Sequence, residues 1–401
     1  MCRSPQQAGA GVELADIVRA AAEPYTREHR LCDQQRRALV AIAQCRTAAL
    51  GATVSRCDRC GEVEVRYHSC RNHHCPKCQT LAKERWLAAR SAELLPVPYF
   101  HVVFTLPHQL NPLAQGYPRT IYGLLFDSAA ETLHAFAENP KWLGAELGVT
   151  MVLHTWSQTL EQHLHVHCLI TAGGLSQHHQ WRPTKAGFLF PVHALSRVFR
   201  GKFLSKLSRA VACGDVRPSG RQAILAQADA FQDLLRDLRA HPWVVYAKRP
   251  FAGPEQVLAY LARYTHRIAL SNERLIGFDE QSVRFRYRDR RRDNRSRAMT
   301  LSRDEFLRRF LLHVLPSGFM RIRHFGLFAN RTRGAKLTLA RTVLQQPPPQ
   351  SPPIETPAAF MLRVTGIDIL LCPHCREGRL QIISVTTPPW RAVICATGPP
   401  P

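Results

Sequence analysis

The alternation of apolar and polar positions divides the chain into regular segments before any chemistry is considered. Residues 12–50 carry Ala, Leu and Arg at helical spacing and predict helices. QTLAKERWLAARSAELL, 79–95, predicts another, stopped by Pro96 and Pro98. YFHVVFTL, 99–106, is a β-branched and aromatic run ended by Pro107, so it predicts a strand. A helical apolar pattern follows at 119–138. VTMVLHTWSQ, 149–158, and HLHVHCLITAGG, 163–174, predict two further strands, the second closed by a Gly-Gly turn. Amphipathic helices are predicted at 193–211 and 224–239. Another begins near Gly253 and Pro254, which suit an N-cap and a first turn. SVRFRYRDRR reads as a strand, and Ser302 with Glu305 form a capping-box signature ahead of FLRRFLLHVL. Strands interleaved with helices exclude an all-α or all-β middle region, and 96–330 is long enough to be an enzyme domain.

Composition narrows the class. The chain has 401 residues and is 45% hydrophobic, enough for a sizeable core and, at ~150 residues per domain, for two or three domains. Residues 345–357, QQPPPQSPPIETP, hold six prolines in thirteen positions and predict a stiff linker to a small C-terminal module. The longest apolar stretch, LLPVPYFHVVFTLP, is broken by prolines and shorter than the ~20 residues a membrane helix needs. The first residues lack the basic-then-apolar plan of a signal peptide. A soluble intracellular protein without a membrane partner is expected. Lys and Arg number 54 against 30 Asp and Glu, a net +24. Such an excess favours a polyanionic partner, DNA or RNA, over a merely solvated basic surface.

Cysteine and histidine sharpen this. Thirteen cysteines in such a chain argue against a disulfide scaffold. Five fall within CDRCGEVEVRYHSCRNHHCPKC, whose two CxxC knuckles are Cys57/Cys60 and Cys75/Cys78. Two such turns complete a tetrahedral all-sulfur site for structural zinc. Cys70 and His73 are alternative ligands, with His68 and His74 also between the knuckles. Cys372 and Cys375 look like half a zinc ribbon, with only His374 and Cys395 as local candidates to complete it.

Two further pairs suggest catalysis. His165 and His167 flank one apolar residue on a predicted strand, so both imidazoles share a face and can chelate a divalent cation. Tyr260 and Tyr264 stand one turn apart on a predicted helix. Such aromatics either pack a core or act as nucleophiles, and a phenol with a pKa near 10 then needs a nearby cation or base. Residues 281–310 carry eleven Arg against four acids. Arg284, Arg286, Arg288, Arg290, Arg291 and Arg292 are candidates for backbone phosphates, with interleaved Phe285 and Tyr287 expected to stack on unpaired bases.

Taken together, YHSCRNHHCPKC, PYFHVVFTLPHQLNP, HTWSQTLEQHLHVHCLITAGG, AYLARYTHRIALSN and MRIRHFGLFANR occur in order along nearly the whole chain. In these blocks the chain resembles the HUH endonucleases, specifically the two-tyrosine rolling-circle transposases of bacterial insertion sequences (the IS-ninety-one type). The resemblance implies an α+β fold with a central antiparallel sheet flanked by helices and a small N-terminal zinc-binding module. It divides the chain into a helical and zinc-binding domain at 1–95, a catalytic domain at 96–344, the linker and a CxxC module at 358–401. It implies that His165, His167 and a third polar side chain hold Mg2+ or Mn2+ over a scissile phosphate. Gln158, on the neighbouring predicted strand, is the preferred third ligand, with His163 and His154 as rivals. One tyrosine then attacks to leave a 5′-phosphotyrosine and a free 3′-OH, and the other serves the second cleavage or the rejoining. Polar neighbours favour Tyr264 as the first nucleophile.

The expected partners are single-stranded element ends and target DNA in the bacterial cytoplasm, at the nucleoid. With no GxxxxGK[ST] loop in the sequence, unwinding is expected to come from a host replication or helicase protein. A plasmid or phage replication initiator shares the chemistry, and a tyrosine recombinase would instead make a metal-independent 3′ link. A non-catalytic zinc-finger DNA-binding protein would use none of it.

Overall fold

A computed structural model describes residues 11–387 except 92, 186, 219, 252–255, 258–268, 290–291 and 348–354. The chain divides into two compact units. The larger unit comprises Trp86–Ala269 and Arg309–Ser351. Its centre is an antiparallel sheet of β3 (Tyr99–Thr105), β4 (Glu146–Trp156), β5 (Gln162–Leu175), β7 (Val245–Phe251) and β11 (Ile322–Gly326), in the order β11-β4-β5-β3-β7. The short β6 (Trp181–Pro183) pairs off β5.

Side-chain alternation gives this sheet two different faces. Phe100, Val102 and Phe104 of β3, Met151 and Leu153 of β4, and Val166, Cys168 and Ile170 of β5 are buried on one face. They belong to one core with Leu125, Phe126 and Leu133 of the helix Pro118–Glu138 and Phe199, Phe203 and Leu207 of the helix Val192–Ala212. Each such side chain is worth roughly 1.5–3 kcal/mol of burial, so this face fixes the register of the whole sheet. A second apolar cluster, with Tyr99 and Leu169 from the opposite face, includes Leu327, Phe328, Leu337 of the helix Arg333–Val343, and Val257. The first face is apolar, while the second mixes apolar residues with histidines and other polar side chains such as Thr150, Thr171 and Lys248.

The smaller unit comprises described residues of Met1–Arg85, Leu270–Arg308 and Pro352–Pro401. Helices α1 (Leu14–Glu28) and α2 (Asp33–Gln44) precede a hairpin of β1 (Ala52–Cys57) and β2 (Val63–Tyr67) and a helix starting at Pro76. The C-terminal β12 (Leu380–Thr386) completes that sheet, pairing antiparallel with β1 from Ala52↔Thr386 to Cys57↔Leu380. At the start of the pairing Gly51 has φ +78°, and a Cβ there would run into the Thr386 carbonyl, so only glycine fits. The described part of the expected C-terminal module is therefore built into the N-terminal unit. A separate sheet joins β8 (Leu275–Phe278), β9 (Ser282–Asp289) and β10 (Arg295–Ser302). The helix after it starts at Arg303, and Ser302 Oγ accepts from the Glu305 amide, as the capping-box signature predicts.

Two predicted elements shift. The helix expected at 224–239 begins at Ala228, after a tighter 3-10 turn at Gly220–Ala226. The strand expected at 149–158 ends at Trp156. Among the described residues no helix is long and apolar enough to cross a membrane.

Candidate metal centres and nucleic-acid interface

The two CxxC knuckles do not converge on one another. The structure gathers Cys45, Cys70, Cys75 and Cys78 into one quartet and Cys57, Cys60, Cys372 and Cys375 into another. This corrects the expected Cys57, Cys60, Cys75 and Cys78 set. In the first quartet the Sγ–Sγ distances are 3.7 Å (Cys45–Cys78), 3.6 Å (Cys70–Cys78) and 3.6 Å (Cys75–Cys45). Four sulfurs around zinc at ~2.3 Å would lie ~3.8 Å apart, so the donor set fits structural Zn2+. Hydrogen bonds from Cys45, Cys70 and Cys75 hold Cys78 down, while those to Cys45, Cys75 and Cys78 push Cys70 up. Cys70, an alternative ligand in the sequence reading, is a full member. Cys45 was missed because it follows α2 with no cysteine at knuckle spacing, so no local signal marks it. His73 is not among the quartet.

On the histidine face of the large sheet, pairing decides which side chains meet. His154 of β4 lies directly across from His165 of β5, and Val152 across from His167. One ligand atom from each of His154, His165 and His167 lies within 4.8 Å of the others. Gln158, the preferred third ligand, is instead in the turn after β4, because the strand ends two residues before it. His154, one of the two rivals, is the residue that the ladder brings to the pair. His163, the other, lies on β5 with its ring 4.8 Å from that of His165 and 5.5 Å from that of His108.

Neighbours fix how these rings are turned. His165 Nδ1 donates to the His163 carbonyl at 2.9 Å, which leaves Nε2 with its lone pair. His167 Nδ1 lies 2.9 Å from Nε2 of His101, a β3 residue with no sequence motif to flag it. Burial, with a smaller contribution from Lys248, holds His101 down at about 4, so it is neutral and able to accept from His167. In that tautomer the lone pair of His167 is on Nε2. Three imidazoles that meet in this way, two of them turned by such partners, form a set that can hold a divalent cation. Exposed Tyr246 and Lys248 of β7 pair with Val103 and His101 and present a phenol and an ammonium on the same face. Sequence reasoning missed both.

Tyr260 and Tyr264 lie outside the described residues. The described Val257, just ahead of them, is buried in the cluster that includes Leu169, on the histidine face of the sheet.

The arginine hairpin is partly as expected. Arg284, Arg286 and Arg288 alternate along β9 and are exposed, with Thr300, Ala298 and Ser296 of β10 opposite them. Successive arginines on such a strand are ~6.8 Å apart. Arg292 is exposed in the connecting turn, and Arg290 and Arg291 lie outside the described residues. Phe285 is a correction. It is fully buried on the opposite strand face, 6.1 Å from the Phe306 ring, and offers no surface to a base. Tyr287 is half-buried.

The family described as "Transposase zinc-binding domain" matches residues 17–106, and that described as "Putative transposase" matches 148–336. The chain is 46% identical over 391 residues to "Putative transposase y4qJ" of Sinorhizobium fredii (strain NBRC 101917 / NGR234), covering 95% of this chain and 98% of that one. It is 29% identical over 342 residues to "Transposase for insertion sequence element IS801" of Pseudomonas savastanoi pv. phaseolicola, covering 82% and 79%. No solved structure matches.

Proposed function

The chain belongs to the insertion-sequence transposases of the IS-ninety-one type, with an N-terminal zinc-binding domain, and on that premise we propose that it nicks and rejoins single-stranded element ends through a 5′-phosphotyrosine. The observation that carries the reading is the meeting of His154, His165 and His167, two of them buried and one half-buried, on one sheet face. In this reading the sheet is that of an HUH endonuclease, with His165 and His167 as its signature pair and His154 in place of Gln158 as the third ligand.

His154, His165 and His167 would hold a divalent ion, which would supply positive charge to the scissile phosphate. Of the two ions expected, three imidazoles favour Mn2+ over Mg2+, which prefers oxygen ligands. The rest of the chemistry belongs to the chain. A phenol of Tyr260 or Tyr264 loses its proton and bonds to phosphorus. The bond from phosphorus to the 3′ oxygen breaks, and that oxygen leaves as a hydroxyl once protonated. Rejoining runs the same exchange backwards, with a 3′-OH displacing the tyrosine. Arg284, Arg286 and Arg288 bind backbone phosphates, and Tyr246 and Lys248 hold the strand beside the histidines.

The test uses end-labelled single-stranded oligonucleotides from the element ends, with and without Mn2+. A covalent, 5′-linked complex is expected with the ion. It is lost when Tyr260→Phe and Tyr264→Phe are combined, while binding persists. A 3′-linked adduct that forms in EDTA would sink the assignment, and so would full nicking by the double variant.

A further inference from the structure

The second cysteine quartet is not accounted for by the zinc-binding domain. Cys57 and Cys60 lie within the segment matching that domain, but Cys372 and Cys375 lie beyond both matched segments. We propose that these four thiolates bind a second structural zinc ion, which clasps the C-terminal segment to the β1–β2 hairpin.

Three observations carry this. First, the Sγ atoms are 3.7 Å apart for Cys57–Cys375 and 3.8 Å for Cys60–Cys372. That is the ~3.8 Å edge of a ZnS4 tetrahedron, and far longer than a ~2.05 Å disulfide bond. Apolar packing does not account for the grouping, since Cys60 is exposed.

Second, both knuckles point backbone amides at sulfur, as a thiolate requires. The amides of Arg59 and Cys60 donate to Cys57 Sγ at 3.4 and 3.5 Å, and that of Gly378 donates to Cys375 Sγ at 3.3 Å. A Cβ on Gly378 would collide with Cys57 Sγ and lie 2.8 Å from Arg59 Cβ. Only glycine lets the two knuckles close on one centre.

Third, the two segments are registered to each other around the quartet. The Asp58 amide donates to the Arg379 carbonyl at 3.0 Å, and the Arg379 amide donates to Asp58 Oδ1 at 2.7 Å. The β1–β12 ladder starts immediately beyond, at Cys57↔Leu380. On the far side Arg66 donates to the Ile369 carbonyl at 2.6 Å. The C-terminal half-ribbon thus finds its missing pair more than 300 residues earlier in the chain.

Zinc counting tests this on the full chain carrying His165→Ala and His167→Ala, so that the imidazole cluster adds no metal. After dialysis into metal-free buffer, we expect two zinc ions per chain, both with all-sulfur shells by X-ray absorption. Combining Cys372→Ser with Cys375→Ser lowers the count to one. Cys57→Ser with Cys60→Ser does the same, and all four changes together still leave one. Trypsin then cuts the C-terminal segment first in each of these variants. One zinc in the parent chain overturns the proposal, as does a count unchanged by the Cys372 and Cys375 changes. The parent count and its sulfur shell need no cysteine variant, so they decide the matter even if a serine variant unfolds.

Discussion

His101 provides the most direct test of how the histidine site is held. Its Nε2 is placed 2.9 Å from Nδ1 of His167, and burial keeps it neutral, so it can serve as acceptor for a proton on His167 Nδ1, the tautomer in which His167 Nε2 carries the lone pair a divalent ion would need. Changing His101→Leu keeps an apolar body of similar size and removes the acceptor. The His167 N–H then faces no acceptor from β3. Leaving a buried donor unmet costs ~1–3 kcal/mol. Loss of a partner behind a metal-binding imidazole typically costs about 10–100-fold in metal affinity, or ~1.4–2.8 kcal/mol. The two ranges are of similar size. The assay follows nicking of a labelled single-stranded oligonucleotide as Mn2+ is titrated. The half-saturating Mn2+ concentration should rise 10–100-fold, with the rate at saturating Mn2+ little changed. His101→Gln, whose side-chain oxygen still accepts, should recover much of the loss. A folded His101→Leu protein that titrates at the parent Mn2+ concentration would refute the reasoning.

Three further outcomes follow from other parts of the structure. Replacing Arg284, Arg286 and Arg288 together by Gln should make the log–log salt dependence of single-strand binding shallower by ~2, at ~0.7 per phosphate contact. Fluorescence anisotropy across a salt series measures it, and an unchanged slope would remove these residues from the interface. Phe285→Ala should cost ~3–5 kcal/mol in urea unfolding, as a buried aromatic does; weaker oligonucleotide binding at full stability would restore the base-stacking role. His313 is buried, with Nε2 donating to the Leu160 carbonyl and Nδ1 accepting from Thr155, and burial lowers its pKa from 6.5 to about 4. Between those values the unfolded chain takes up a proton that the folded chain does not. Stability is therefore full above pH 6.5 and falls by up to about 3 kcal/mol as the pH drops to 4. Urea melts of His313→Gln at pH 7 and 4.5 should show a smaller drop than the parent, and an equal drop would count against the assignment.

How much was legible in the sequence varies with the reach of each interaction. Local features carried through: most strands and helices, the Ser302–Glu305 cap and the shared face of His165 and His167 depend on residues within a few positions. Gln158 is not on the strand expected to carry it, because a strand's end is set by its partner's register, and β4 stops at Trp156. Phe285 failed as a stacking platform for a related reason. An alternating Arg–aromatic strand has one wet and one buried face, and only the packing of Phe306 showed which was which.

The sequence by itself determined that this chain contains sulfur knuckles, a His–apolar–His strand, paired tyrosines and a basic hairpin, because each is written in contiguous residues. The family blocks were legible for the same reason. The tertiary structure decided which of these groups share a centre. A CxxC turn fixes two ligands and says nothing about the other two, since zinc requires only that four thiolates arrive at one point. The path of the backbone brings Cys45 and Cys70 to one knuckle, and Cys372 and Cys375 to the other. It likewise brings His154 across from His165. Cys70 apart, which lies five residues from its knuckle, these are contacts between separate segments, and no local pattern encodes them.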